Sequence, residues 1–446
     1  MTSPDIRFAK AGDVHIAYEV FGTGPLDLVV SVNHGLSFEA AWDEPSFTRF
    51  LERLGSFARV IRFDRRGMGL SDPAPDPYTL EQSPRDFVAV LDDLGVERVA
   101  FFGLDSPSSS MGILCAATHP SRVSSLVLVH PVPRTVRTED YPWGMPLELL
   151  IERREEFERG LVSSEGLMRF FPSRADDARF FDWLKRWRRR GASPATQIAI
   201  ARVWNELDIR PVLPAVRVPT LVLRRVGCDQ SADIAEHCRY VAEHIPQARY
   251  AELPGVDHAA FVGETGPLLD AAEEFLLGTK AAVVVDDRVF AAVLFTDIVS
   301  STPRTAELGD RRWRELLDAH DEAVRREVER FRGRLVKSTG DGVLATFDGP
   351  ARAVRCAQSI GAAVGRLGLE TRVGIHAGEV ELRGEDITGI AVSIARRVCD
   401  AAATGELLVS RTVTDLVAGS GLSFEDHGEH ELKGVPGRWR LYAVAS

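Results

Sequence analysis

Two aspartates in the last third of the chain could support a metal-dependent reaction. Asp297 ends the apolar run Leu294-Phe-Thr-Asp297, and Asp341 lies in the tight turn Lys337-Ser-Thr-Gly-Asp341-Gly342. If the two strands are neighbours, both carboxylates meet at one edge of a sheet. Mg²⁺ and Mn²⁺ prefer hard carboxylate oxygens, and substrate phosphates complete their coordination shell. Two such ions activate an attacking hydroxyl and neutralise leaving phosphates.

Each aspartate also has a purely structural explanation. Asp341-Gly342 is a common pair at a hairpin turn, and Asp297 would suit the N-cap of a following helix. The order and spacing of the motifs favour a shared site. The elements around them indicate an α+β arrangement of ferredoxin-like type. We expect a strand Val289–Val299, a helix Arg311–Phe331, a hairpin of Arg334–Ser338 and Val343–Phe347, a helix Ala351–Leu367 and a strand Thr371–Ile375.

The N-terminal half follows another pattern, in which short β-branched runs alternate with helical stretches. Such runs indicate a mostly parallel sheet that helices cover on both faces. The strand pattern stops at about 131–211, which we expect to form a helical lid. We therefore predict a domain at 1–278, a linker at 279–288 and a second domain at 289–446. The expected strands of the first domain are Leu28–Val32, Val60–Phe63, Val99–Phe102, Leu126–Val129, Thr220–Leu223 and Arg249–Leu253.

Length and composition exclude several classes of protein. A chain of 446 residues suits two domains. Its net charge of −11 argues against a general nucleic-acid binder, which needs a basic surface. We find no apolar run long enough for a membrane span and no signal-peptide core at the N-terminus. The five cysteines are scattered, so we expect neither disulfides nor a zinc site. We expect a cytoplasmic location.

Further motifs accompany the two aspartates. They are Phe295-Thr-Asp-Ile-Val-Ser-Ser-Thr302, Lys337-Ser-Thr-Gly-Asp-Gly342, Gly374-Ile-His-Ala-Gly-Glu379, Asp386-Ile-Thr-Gly-Ile-Ala-Val392 and Leu432-Lys-Gly-Val435. On these motifs, residues 289–446 resemble the class III adenylate/guanylate cyclase catalytic domain along their whole length. Together the motifs are highly specific, whereas a lone Gly-Asp-Gly would be a weak signal.

The resemblance assigns roles by position. Asp297 and Asp341 match the metal carboxylates, with the backbone carbonyl of Ile298 as an extra ligand. Two Mg²⁺ or Mn²⁺ ions per site are implied. Lys337 and Asp386 match the pair that selects the base.

The resemblance also covers the reacting phosphates and the ribose. Arg397 matches the arginine that stabilises the transition state, and Lys433 matches a lysine that reaches the triphosphate. Where the family usually has an Asn that orients the ribose, this chain has Ser393. We therefore expect lower turnover, with a water or Arg396 replacing part of the contact. We expect His376 to be a packed strand histidine rather than a base.

The base-selecting pair allows a physical argument. Adenine offers an acceptor at N1 and a donor at N6, and guanine offers the reverse. Lysine only donates and an ionised aspartate only accepts, so Lys337 and Asp386 suit adenine. Two mispaired polar groups would disfavour GTP by on the order of a hundredfold. In the family, one subunit supplies the metals and the other supplies the base pair and arginine. This domain carries both sets, so we predict a homodimer.

Three motifs of the first half point to a second family. They are Asn33-His-Gly35, Phe63-Asp-Arg-Arg-Gly-Met-Gly-Leu-Ser-Asp72 and Leu253-Pro-Gly-Val-Asp-His258. On these motifs, residues 13–278 resemble the α/β-hydrolase fold. Asp229 and His258 match the acid and base of its catalytic triad.

The nucleophile position departs from the family's G-x-S-x-G elbow. Here the stretch is Gly103-Leu-Asp105-Ser106-Pro107-Ser-Ser. One register makes Asp105 the nucleophile and another makes Ser106 the nucleophile. Pro107 removes an N–H close to the expected oxyanion hole. We favour a domain that binds a small apolar ligand and regulates the other domain over a working esterase, and a dimerisation platform is the simplest alternative.

Three functions remain open at this stage. The first is an adenylate cyclase that converts ATP to cyclic AMP and pyrophosphate, with a regulatory hydrolase-like domain. The second is an esterase-type hydrolase with a vestigial cyclase domain. The third, a nucleotide sensor without turnover, depends on Ser393 alone.

Overall fold

The chain consists of two compact units. A computed structural model describes residues 4–32, 37–73, 79, 82–158, 168–228, 233–278, 288–299, 301–338, 340–384 and 386–445. Contacts divide the chain into Met1–Asp286 and Asp287–Ser446. Apart from Arg288, the linker expected at 279–288 lies outside the described residues.

The first unit is built on one sheet with the strand order β1-β2-β4-β3-β5-β6-β7-β8. An antiparallel hairpin, β1 and β2, extends a parallel sheet along its β4 edge. The parallel strands are apolar and almost wholly buried through β7, as expected for a sheet covered on both faces. The strands are β1 (Ile6–Ala11), β2 (Val14–Phe21), β3 (Leu26–Ser31), β4 (Ala58–Phe63), β5 (Val99–Gly103), β6 (Val123–Val129), β7 (Thr220–Arg225) and β8 (Arg249–Leu253).

Helices connect these strands, and the segment between β6 and β7 contributes three helices to the described part of this unit. The helices are α1 (Pro45–Phe57), α2 (Gln82–Asp93), α3 (Ser106–Thr118), α4 (Leu147–Glu158), α5 (Ala178–Gly191), α6 (Pro194–Glu206), α7 (Ile234–His244) and α8 (Gly266–Gly278). Helix α3 follows β5 directly. A Cβ at Gly103 would lie 2.7 Å from the backbone of Ser109, so glycine permits this close approach.

The second unit has the strand order β10-β11-β9-β12-β14-β16-β15, with β13 paired to β12. Its first four strands and two helices reproduce the ferredoxin-like order, because β9 lies between β11 and β12 and is antiparallel to both. The strands are β9 (Arg288–Ile298), β10 (Arg334–Ser338), β11 (Gly342–Phe347), β12 (Thr371–Arg383), β13 (Asp386–Thr388), β14 (Leu407–Ser410), β15 (Phe424–Glu431) and β16 (Arg438–Val444). The helices are α9 (Ser301–Leu308), α10 (Asp310–Arg330), α11 (Pro350–Gly365), α12 (Ile390–Ala401) and α13 (Arg411–Leu416).

Both predicted fold classes are confirmed, and the differences lie at the margins. The β1–β2 hairpin and α9 were not predicted. Strand β12 continues to Arg383, well past the expected end at Ile375, because Gly378 to Glu381 pair with the start of β9. Within the described residues, no helix is both long enough and apolar enough to cross a membrane.

Candidate functional site

The two predicted metal carboxylates lie at the same end of neighbouring strands. Gly342, the first residue of β11, pairs with Asp297 on β9, so Asp341 immediately precedes the paired position. The backbone N–H of Ile298 donates to the carbonyl of Asp341 at 2.7 Å. The buried apolar body of β9 fixes this strand in the sheet centre. The sheet register therefore brings both carboxylates together.

Different groups bind the two carboxylates. The side chain of Asp297 is 8% exposed, and its Oδ2 accepts from Arg372 Nε at 2.9 Å and Nη2 at 2.6 Å. Its Oδ1 lies 3.4 Å from Arg396 Nη2. Asp341 Oδ2 accepts from Ser301 Oγ at 2.7 Å. Burial opposes the charge of Arg372, but the hydrogen bond and charge of Asp297 outweigh it and raise the pKa of the guanidinium.

A cleft of about 460 Å³ opens at these carboxylates. Asp297, Ile298, Ser301, Asp341 and Arg372 contribute to its walls. Two carboxylates beside a main-chain segment form a hard oxygen donor set, which suits Mg²⁺ or Mn²⁺ rather than a soft metal. The residues present therefore fit the ions that the motifs implied.

The predicted base-selecting residues contact each other within one chain. Lys337 Nζ lies 2.8 and 2.7 Å from the two carboxylate oxygens of Asp386, and both side chains are about half exposed. The hydrogen bond from Lys337 and that from the N–H of Ile387 lower the pKa of Asp386. Lys337 lies on β10 next to an irregularity in the β10–β11 register, and Asp386 begins β13.

Helix α12 carries Ser393 and Arg397. Its buried face, which includes Ile394 and Val398, packs on the sheet. Arg397 Nη1 donates to Asp400 Oδ2 at 2.8 Å, and its Nε donates to the carbonyl of Lys433 at 3.0 Å. Lys433 thus meets Arg397 through its backbone. His376 is buried with Nδ1 2.7 Å from Ser410 Oγ, in agreement with a packed histidine.

The elbow of the first unit does not present a nucleophile in the usual way. Asp105 has extended backbone angles, φ −159° and ψ 175°, rather than the strained turn of a nucleophile elbow. Its carboxylate caps α3, accepting from the N–H of Ser108 at 3.0 Å and from the Ser108 hydroxyl. Ser106 Oγ donates to the carbonyl of His130 at 2.7 Å. Both candidate nucleophiles therefore bond to neighbouring groups of their own fold.

His258 lies in a cluster that the sequence reasoning did not anticipate. Its Nδ1 is 3.6 Å from Cys228 Sγ, and its ring stacks on His130 with centroids 4.9 Å apart. The expected acid, Asp229, lies outside the described residues. His130 has a φ of 47°, and burial lowers its pKa well below the ordinary value.

Donor atoms of His130, Cys228 and His258 all lie within 4.8 Å of one another. The Nε2 of His130 accepts from the N–H of Arg225 at 2.9 Å, and its Nδ1 faces the carbonyl of His258 at 3.2 Å. Both ring nitrogens are thus engaged, and the nearby Arg225 guanidinium repels cations. The arrangement suits a structural histidine better than a metal ligand.

Aromatic side chains of α5 pack over the first unit's core. Trp187 is 1% exposed and its Nε1 donates to the carbonyl of Ser37 at 2.5 Å. Trp183 Nε1 donates to the carbonyl of Ala40 at 2.9 Å. Phe261 packs against both indoles. Both indoles therefore anchor this lid helix to the segment that precedes α1.

Comparison with known proteins identifies both units. Residues 29–276 match the alpha/beta hydrolase family, and residues 286–446 match the adenylate and guanylate cyclase catalytic domain. The chain belongs to the alpha/beta hydrolase family and carries a C-terminal cyclase catalytic domain.

Individual relatives agree with both assignments. The hydrolase domain is 31% identical over 257 residues to a pimeloyl-[acyl-carrier protein] methyl ester esterase of Nitrosomonas europaea, covering 56% of this chain and 94% of that protein. The cyclase domain is 30% identical over 158 residues to putative adenylate cyclase 3 of Rhizobium meliloti, covering 33% of this chain and 27% of that protein. A bromoperoxidase structure from Bacillus anthracis shares the hydrolase fold, with a TM-score of 0.54 and 23% identity over 61% of this chain and 100% of that one.

Three residues of the cyclase domain site were missed or only touched on by the sequence reasoning. Arg372 lies opposite Asp297 in the β12–β9 register, and Arg396 and Asp400 join the same network from α12. Register pairing of Arg372 with Asp297 is the signal that could have found the first. Arg396 was considered only as a substitute contact for the ribose.

Proposed function

We propose that the cyclase domain converts ATP to 3′,5′-cyclic AMP and pyrophosphate, using two Mg²⁺ or Mn²⁺ ions at a homodimer interface. The observation that carries this proposal is the pair Asp297 and Asp341 at one sheet edge, in a domain that also pairs Lys337 with Asp386. The first set handles phosphates and metals, and the second suits a purine edge.

The choice of ATP rests on the Lys337–Asp386 pair. Without a base, each is the other's hydrogen-bond partner. Adenine replaces both partners at once, because its N1 accepts from Lys337 and its N6 amino group donates to Asp386. Guanine would set an N–H against the lysine and a carbonyl against the carboxylate. Such unmade bonds cost roughly 1–3 kcal/mol each.

Asp297, Asp341 and the carbonyl of Ile298 would bind the metals. Bound divalent ions there would lower the pKa of the ribose 3′-hydroxyl and neutralise the leaving pyrophosphate. Arg372, which binds the Asp297 carboxylate, would supply a further cation for the triphosphate. Arg397 would contribute a guanidinium to the developing charge of the transition state. Ser393 supplies a short hydroxyl in place of an amide, so we expect modest turnover.

The homodimer follows from having both half-sites on one chain. Within its own chain, Arg397 bonds to Asp400 and to the Lys433 carbonyl, and about two fifths of its side chain is exposed. It is therefore available at the surface for a second copy.

For the hydrolase domain, we favour a regulatory module that binds a small apolar ligand. The support is the elbow, where Asp105 caps α3 and Ser106 bonds to a backbone carbonyl. A working esterase is the alternative, favoured by the family match alone. Asp105→Asn keeps the cap and should leave stability nearly unchanged, whereas Asp105→Ala should cost about 1 kcal/mol. Ester cleavage that is abolished by Asp105→Asn, Ser106→Ala or His258→Ala would instead support a hydrolase.

A direct assay tests the cyclase proposal. Purified protein with ATP and Mn²⁺ should form cyclic AMP, and Asp341→Asn should reduce the rate at least a hundredfold, since a metal carboxylate is lost. Asp426→Asn is the matched control, because it removes an exposed carboxylate that pairs with Arg440 on the last hairpin. No cyclic AMP above the Asp341→Asn background would refute the proposal.

A further inference from the structure

Asp400, near the C-terminal end of α12, is contacted by three arginines. Its Oδ1 lies 3.2 Å from Arg396 Nε, and its Oδ2 lies 2.8 Å from Arg397 Nη1. Its backbone carbonyl accepts from Arg372 Nη1 at 3.3 Å. Two of these arginines also bind Asp297. We call Asp297, Arg372, Arg396, Arg397 and Asp400 the Asp400 cluster.

The position of Asp400 is unfavourable by itself. A carboxylate in the last turn of a helix faces the negative end of the helix dipole. Arg396 and Arg397 precede it by four and three residues, which is the spacing of ordinary helix ion pairs. Such pairs alone would stabilise the helix slightly. Arg396 has a second partner in Asp297, about a hundred residues earlier in the chain.

The charges of the cluster alternate along one path, Asp297–Arg396–Asp400–Arg397. Adjacent residues on a helix differ by about 100° in direction, so Arg396 and Arg397 reach different neighbours. Arg396 reaches the metal carboxylate of its own chain, and Arg397 reaches the Lys433 carbonyl. Asp400 lies between them and shares its two oxygens.

We propose that Asp400 is a positioning residue that couples metal binding at Asp297 to the release of Arg397. The inference rests on the proposed metal site. When Asp297 binds a divalent ion, its carboxylate oxygens are no longer available to Arg396, which then pairs with Asp400 alone. Asp400 consequently binds Arg397 less strongly, and the guanidinium becomes available to the second subunit's site. The arginine that acts on the phosphates is thus freed only when metal is in place.

Metal binding without nucleotide provides the first test, and Mn²⁺ electron paramagnetic resonance measures it independently of cyclic AMP. Arg396→Gln removes a cation beside Asp297 and should tighten Mn²⁺ binding. Asp400→Asn leaves Arg396 with Asp297 only and should weaken Mn²⁺ binding by about threefold, as expected for an ion pair whose side chains are about one third exposed. In the Arg396→Gln background, Asp400→Asn should not change Mn²⁺ binding, because Arg396 no longer links Asp400 to Asp297.

The outcomes separate the two proposals. If Mn²⁺ binding does not depend on Asp297, both the metal site and the coupling are wrong. If Mn²⁺ binds at Asp297 but Asp400→Asn changes the affinity equally in both backgrounds, or not at all, only the coupling is overturned. Asp348→Asn serves as a control for charge, since this carboxylate pairs with Arg352 elsewhere in the domain. Thermal unfolding of each variant excludes a general loss of structure.

Arginine modification provides the second test. Phenylglyoxal labelling of Arg397, located by peptide fragmentation, should rise at least twofold when Mn²⁺ is added to the wild-type protein. The rise should disappear in Asp297→Asn, and Asp400→Asn should give high labelling with or without Mn²⁺. Labelling of Arg397 that is indifferent to Mn²⁺ in the wild type would overturn the coupling.

Discussion

At the scale of single residues, each predicted site carboxylate of the cyclase domain already has a partner of suitable charge or polarity. Asp297 binds two arginines, Asp341 binds Ser301 and Asp386 binds Lys337. Buried charge without a partner is costly, and Asp297 is the most buried of the three. Substrate and metal would therefore displace the side chains that these carboxylates already bind, rather than enter a pocket of unpaired carboxylates.

The proposed base-selecting pair, Lys337 and Asp386, gives a prediction about substrate preference alone. Lys337→Glu together with Asp386→Ser reverses the donor and acceptor pattern, so it should lower the ATP to GTP ratio of kcat/KM by about a hundredfold. Initial rates of cyclic AMP and cyclic GMP formation measure the ratio. The two single variants serve as controls, and each should lower kcat/KM for both ATP and GTP. An unchanged ratio in the double variant would mean that other residues read the base.

His376 gives a prediction about pH. Burial lowers the pKa of this histidine from 6.5 to about 4. Between these values the unfolded chain binds a proton that the folded domain does not, so the free energy of unfolding falls as pH decreases from 6.5 to 4. His376 alone should make the cyclase domain about 2 kcal/mol less stable at pH 5 than at pH 7.

His376→Asn keeps a polar group beside Ser410 and should remove this contribution. Urea unfolding at pH 5 and pH 7, monitored by hydrogen exchange of β12 peptides, measures this contribution to the free energy of unfolding. His427→Asn changes an exposed histidine of the same domain and controls for the loss of an imidazole as such. Equal pH dependence in the wild type and His376→Asn would show that the histidine is protonated in the folded domain.

At the scale of elements, the position of α12 depends on one glycine of β12. A Cβ at Gly374 would lie 2.0 Å from the backbone N and 2.5 Å from the Cα of Cys399, which belong to the helix and cannot rotate away. Gly374→Ala should push α12 outward, displace Arg396 and Arg397, and cost about 2 kcal/mol or more.

The matched control is Gly361→Ala on α11, where an added Cβ meets nothing within 4 Å. Alanine there should stabilise the helix by about 0.5–1 kcal/mol. Urea unfolding and cyclic AMP formation should separate the two variants, with loss of both stability and activity in the first only. A fully active Gly374→Ala protein would show that α12 tolerates the shift.

The elements also show how far the sequence could predict the site. Strand periodicity and hairpin turns are local signals, and they predicted that Asp297 ends one strand and that Asp341 lies in a turn. The meeting of both carboxylates at one edge depended on the condition that the two strands are neighbours, which the β9–β11 pairing fulfils. Arg372 depends on the register of β12 against β9, which is not local. The helix spacing of Asp400 from Arg396 is local, but the contact of Arg396 with Asp297 depends on how the helix packs on the sheet. At the elbow, the resemblance to the family predicted a nucleophile at Asp105 or Ser106. In the structure Asp105 instead caps the following helix, which is a local preference of aspartate.

At the scale of the whole molecule, one chain combines two folds with separate cores. The hydrolase domain closes its core with Trp183 and Trp187 of the lid helix, which pack against Phe261. The cyclase domain has its own clusters, one of which packs α12 against the end of the last sheet strands. Each domain could therefore be altered without unfolding the other, which makes variants of the cyclase domain interpretable in the full chain.

The proposed homodimer gives the final prediction. Asp341→Asn removes a metal ligand from one half-site, and Arg397→Ala removes the arginine from the other half-site, so each variant should be inactive alone. When the two proteins are mixed and exchange subunits, half of the dimers are mixed and each has one intact site. The mixture should therefore recover about a quarter of the wild-type rate. Cyclic AMP formation after co-incubation measures the recovery, with Asp341→Asn plus Asp297→Asn as the control pair that cannot rebuild a site. If the first mixture stays at the control rate, each chain completes its site by itself or the roles of Asp341 and Arg397 are misassigned.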